Sequence, residues 1–167
     1  LFRSLATKTA AASAAVDFTE FNNALYAEYR FDLDNVKPAT DGAGLWCRFS
    51  TDGGSSYDAG AGNYSWAYAS SVGDAASSAD TFLALGPGQG NAAAERGVSG
   101  SFALRSASDS AQHTRIFGAG SGYSTAGIVQ AFTAAGARLA DQDTTALRFL
   151  MSSGNITSGT IRMYGLT

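Results

Sequence analysis

Glu28-Tyr29-Arg30-Phe31-Asp32-Leu33-Asp34 places an apolar side chain at every odd position and a charged one at every even position. Successive side chains on an extended strand point to opposite faces, so this stretch separates its apolar and charged residues cleanly only as a β-strand. A helix would scatter both kinds of residue around its circumference. The stretch therefore predicts a half-buried antiparallel strand, with Tyr29, Phe31 and Leu33 facing a core.

The same period of two recurs outward from it. Val16 and Phe18 alternate with Asp17 and Thr19, and Leu45, Cys47 and Phe49 with Trp46, Arg48 and Ser50. Tyr64, Trp66 and Tyr68 alternate with Ser65, Ala67 and Ala69 and read as core residues. Further strands are expected over 82–85, 98–104, 114–117, 127–132, 146–151 and 161–164, giving about ten short strands. Ala10–Ala15 has the composition of a helix, since alanine has the highest helix propensity, but the alternation that follows argues against one.

Thr51-Asp52-Gly53-Gly54 and Ser153-Gly154-Asn155 read as hairpin turns, because glycine and asparagine tolerate positive φ. Pro38 and Pro87 read as loop residues, and Ser70–Ala79 and Gly86–Gly97 as loops at the ends of a sandwich. We expect a single all-β domain over 1–167, an antiparallel two-sheet β-sandwich that is jelly-roll-like. Residues 1–13 are a candidate extended N-terminal arm.

Composition narrows the function. The chain has 167 residues, of which 15% are charged and 45% hydrophobic, against about 25% charged in an average soluble domain. Apolar content is high enough for a core, which argues against disorder. The net charge is −3, and the arginines are dispersed, so nothing concentrates positive charge as a duplex-binding protein must. No run approaches the length of an apolar membrane span. The one cysteine, Cys47, excludes an internal disulfide and a multi-cysteine zinc site, and its alternation with core residues marks it as buried. The first residue is Leu rather than Met, which suggests a processed product or a piece of a longer chain.

Candidate chemistry is sparse. His113 is the only histidine and has Ser108, Asp109 and Ser110 nearby in sequence, but catalytic triads are assembled by the fold, and no Gly-x-Ser-x-Gly elbow is present. Asp32 and Asp34 share a strand face with Glu28 and Arg30, which reads as a solvated, salt-bridged row rather than a glycosidase pair. Asp52 with Asp58, and Asp141 with Asp143, lack the ligand spacing of a calcium loop. Gly86–Gly90 lacks the Lys-Ser/Thr ending of a phosphate loop and reads as a flexible connection. No catalytic residue, metal or cofactor is assigned. The remaining candidates for a ligand or subunit contact are Trp46 and Arg48, which share the face opposite Leu45, Cys47 and Phe49, and Tyr57 in the loop that follows.

The run Ser4-Leu5-Ala6-Thr7 through Ala15-Val16-Asp17-Phe18-Thr19 resembles the opening of a module of tailed-bacteriophage virion proteins, notably tail fibres. Similar too are Asp34-Asn35-Val36-Lys37-Pro38, Leu45-Trp46-Cys47-Arg48 and Tyr57-Asp58-Ala59-Gly60. The most specific part is the close: Ala146-Leu147-Arg148-Phe149-Leu150, Ser152-Ser153-Gly154-Asn155-Ile156 and Tyr164-Gly165-Leu166. The resemblance implies a non-enzymatic, oligomeric component of the outer virion surface, with a trimer favoured. Its partners would be other copies of itself, other virion proteins and a host-surface glycan. A capsid decoration or head-fibre protein is the alternative role, and a polysaccharide-degrading enzyme a remote one.

Overall fold

The computed structural model describes residues 1–167 and contains strands but no helix. The strands are β1 Phe2–Ser13, β2 Ala15–Phe18, β3 Glu28–Pro38, β4 Leu45–Ser50, β5 Tyr64–Ser70, β6 Ala75–Asp80, β7 Leu83–Ala84, β8 Val98–Arg105, β9 Arg115–Tyr123, β10 Val129–Arg138, β11 Ala146–Met151 and β12 Ile156–Leu166. An eight-stranded antiparallel sheet runs β1-β12-β3-β8-β9-β10-β5-β6, and a four-stranded one runs β2-β11-β4-β7. From β2 to β12 the chain passes back and forth between the two, the connectivity of a jelly roll. The place of one strand between β3 and β5 is taken by the meander β8-β9-β10, while β12 and β1 extend the sheet beyond β3.

The alternation of 28–34 is realised as read: Tyr29 and Phe31 are fully buried and Leu33 nearly so, while Arg30 and Asp32 face out. Asn35, at φ 54°, then sits in a bulge that shifts the register and turns Val36 and Pro38 inward. Phe31 meets Phe18 of β2 at 5.3 Å and Phe149 of β11 at 5.4 Å between ring centroids, and Phe18 meets Phe149 at 6.0 Å, all edge-on. This triangle ties the sheets together, each buried ring contributing about 1.5–3 kcal/mol. Cys47 lies in the same continuous core.

Several sequence expectations change. There are twelve strands. The arm at 1–13 is β1, paired with β12 along its length, with Lys8 turned back to the Asp17 carbonyl at 2.6 Å and Glu20 at 2.8 Å. Ala75–Asp80, read as loop, is the edge strand β6; neither of its faces is fully covered, so its sequence carries no apolar alternation. β9 continues past Phe117 to Tyr123, because Gly118, Gly120 and Gly122 occupy its inward positions and conceal the pattern. Pro38 ends β3 rather than lying in a loop.

The glycines of 51–54 and 153–155 do take positive φ, but neither turn closes a hairpin. The strands on either side, β4 and β5 or β11 and β12, belong to different sheets. Nor is 86–90 a free connection. Gln89 is fully buried and bridges to Ala43, Gly90 donates to the Tyr123 carbonyl at 2.7 Å, and Gly86 lies against the Phe132 ring. The segment covers the inner face of β9 and β10, and its glycines permit that close approach.

Candidate functional site

The small sheet's outer face is built from alternate residues of β2, β11 and β4. Their register places Asp17, Arg148 and Arg48 in one row across the sheet and Ala15, Leu150 and Trp46 in the next. Arg148 donates Nε and Nη2 to the two carboxylate oxygens of Asp17, each at 2.7 Å. That bidentate fit also holds the guanidinium's proton more tightly than usual.

Tyr57 reaches this face from the loop after β4 and lays its ring 4.1 Å from the Arg148 guanidinium carbon. Its hydroxyl is buried close to the Asp17 carboxylate but forms no hydrogen bond of good geometry; burial, with the Asp17 charge adding, pushes its pKa up to about 12. Gly54, at φ 92°, provides the room, since a Cβ there would stand 2.8 Å from Thr19 Cγ2 and 3.0 Å from Tyr57 Oη. The turn itself is organised by Asp52, which accepts from Ser56 Oγ at 2.6 Å, Ser56 N at 2.9 Å and Ser50 Oγ at 2.7 Å. Those bonds hold its carboxyl well below the ordinary range.

Trp46 is half-buried rather than free, because Phe82 stacks on it at 3.5 Å and 9°. Phe82 in turn leans on Trp66 at 5.9 Å, and Trp66 lies parallel to Tyr68 at 5.8 Å. A ladder of four aromatic rings thus passes from β4 across the β7 edge onto β5. Tyr64 is fully buried, accepting from Phe49 N at 2.9 Å and donating to the Asp58 carbonyl at 3.0 Å. Trp66 and Tyr68, read as core with it, are only partly covered. Arg48 donates Nε to the Thr81 carbonyl at 3.0 Å.

Trp46, Arg48 and Tyr57 therefore share one face, joined through Arg148. Sequence reasoning missed Asp17, Phe82 and Arg148 as members. The position of Arg148 between Leu147 and Phe149 marks it as outward, but only the strand register places it between Arg48 and Asp17. Partly exposed rings and a row of guanidinium groups suit the binding of flat or polar ligands.

The other candidates are placed elsewhere. His113 pairs with Asp141 at 3.3 Å on an exposed loop, both side chains well solvated. Asp32 pairs with Arg30 at 2.8 Å, and Asp34 lies 4.0 Å from Arg162, so that strand face is a row of ion pairs. Asp52 organises its turn, and Asp58 faces the buried Arg138. Gathered groups of three acidic, histidine or cysteine side chains do not occur.

A second surface is defined by the outer face of the large sheet. Its β12-β3 half carries Arg30, Asp32, Asp34 and Arg162, and Glu28 pairs with Arg105 of β8 at 2.6 Å. On the half formed by β9, β10, β5 and β6, outward residues such as Ala119, Thr133, Ala135, Ala67 and Ala76 are uncharged. Phe117 stands exposed among them, and Arg115 lies at one end.

No protein-family model matches the chain, and no curated protein matches it in sequence.

Proposed function

We propose that this chain is a non-enzymatic structural module of the outer surface of a tailed-phage virion, of tail-fibre or appendage type, that takes part in attachment to the host surface. The reading rests on the resemblance of the sequence to such modules and on where its most specific part falls in the fold. The stretch 146–166 folds as β11 and β12 and so supplies an interior strand to each sheet. The resembling stretch is thus one that sets the architecture of this chain. In this reading Trp46, Arg48 and Tyr57 form the face that meets a glycan or a neighbouring subunit, through ring stacking and guanidinium donors.

A second reading, decoration of the capsid, draws support from the breadth of the uncharged sheet face, which suits a protein laid on a lattice of shell subunits. Mass spectrometry of gradient-purified virions tests the common claim. The expected result is this chain in stoichiometric proportion to known shell or tail proteins. Recovery only from the lysate, with none in the particles, contradicts it.

A further inference from the structure

We infer that the outer face of β8-β9-β10-β5-β6 is a contact surface for a second copy of this chain. The inference rests on the assembling role proposed above and names the surface that serves it.

Charge is distributed unevenly over the large sheet. Only 15% of the residues are charged, and on the large sheet's outer face they are concentrated on the β12-β3 half and at Arg105 and Arg115. The central rows of the other half contain none: Ala103, Phe117, Ala135, Ala67 and Ala76 lie side by side across five strands, with Thr133 in the next row. A face kept in water has no need to exclude charge, whereas the centre of a subunit contact does.

The shape of the face is complementary to itself. Two adjoining grooves of 620 and 600 Å³ share Ala67, Ala76 and Ala135 in their walls. Phe117, which lines the first groove and has the Arg105 guanidinium carbon 5.4 Å from its ring, is 38% exposed, and Val129, on the outer face of β10, is 61% exposed. One face therefore carries both exposed apolar side chains and grooves walled largely by alanine, with Arg115 and Asp74 at their margins, so the same patch offers both halves of a self-complementary contact. The occupant that fits is the Phe117 region of another copy.

The five strands hold six to ten residues each; at about 3.4 Å per residue and about 4.8 Å between strands they give a face of about 650 Å². That falls toward the lower end of the roughly 600–1,000 Å² per partner of a stable interface.

Sedimentation equilibrium of the full chain tests the contact, with thermal unfolding run alongside to verify folding. The wild-type chain is expected to assemble at micromolar concentration. Ala135→Arg, which places an unpaired charge at the centre of the face, should raise the dissociation constant roughly a hundredfold. Phe117→Ser, which adds no bulk and keeps the test valid should the arginine variant fail to fold, should raise it roughly tenfold. Thr157→Arg, exposed on β12 away from the face, should leave assembly unchanged. A wild-type chain of 17.1 kDa at every concentration, or an assembly indifferent to both face variants, overturns the inference. A monomer that is nonetheless found in virions loses this contact and keeps the proposed role; an assembling chain absent from virions does the reverse.

Discussion

Phe132 of β10 lies directly over its cross-strand neighbour Gly120 of β9, so close that a Cβ on Gly120 would stand 2.7 Å from the ring's Cζ. Gly118 and Gly122 make the same room on β9 for the Phe102 ring and the Gln89 side chain. The inward face of this strand is glycine because neighbouring side chains and, at Gly118, the backbone of Ser101 and Phe102 occupy the space that its own side chains would fill.

Gly120→Ala should therefore overpack the core and cost about 1–3 kcal/mol. Because the strain is a collision with one ring, Phe132→Leu in the same chain should recover part of the loss. Urea unfolding of the single and double variants checks this, and additive losses would contradict it.

Arg138 is only 3% exposed and is satisfied by Asp58 and by Gln142, whose carbonyl and side-chain oxygens accept at 3.2 and 3.0 Å. Asp58→Ala leaves that guanidinium buried without its counter-charge. The expected loss is about 3 kcal/mol, read as a lower urea midpoint at unchanged slope.

The Tyr57 hydroxyl is buried without a hydrogen bond of good geometry, while its ring lies against Arg148. Tyr57→Phe keeps the ring and removes the unsatisfied oxygen. Stability should hold or rise by up to about 1 kcal/mol, and an alkaline absorbance titration should lose the tyrosine that ionises near 12. A clear loss of stability would show that the hydroxyl is satisfied.

Asp52 has its pKa lowered from 3.8, chiefly by the Ser56 hydroxyl and amide. A carboxylate depressed in the folded state stabilises it above the unfolded pKa, and the contribution is lost as pH falls through the folded value. Acidification from about pH 5 to about pH 2 should thus weaken the wild type more than Asp52→Asn. Equal acid sensitivity of the two proteins contradicts this role.

The parts of the fold legible in the sequence are those where one face of a strand is buried and the other wet. Tyr29, Phe31 and Leu33 announce β3 because charged residues separate them. β6 is silent because neither face of Ala75–Asp80 is fully covered, and the second half of β9 because its inward residues are glycines. The turns at 53–54 and 154 were legible as positions of positive φ, but which strands they join is a property of sheet pairing. The same limit holds for the candidate site. Alternation placed Trp46 and Arg48 outward, yet the ring that covers Trp46 and the arginine that receives Tyr57 come from 36 and 91 positions away along the chain (82 − 46; 148 − 57) and are set by register.

A place on the outer surface of a phage particle is tested by electron cryo-microscopy of intact virions labelled with an antibody against this chain. Label is expected on the particle: at the tail tip or along its sides for an attachment module, or spread over the capsid for a decoration protein. Particles that carry no label, while the chain is detected free in the same lysate, would contradict it.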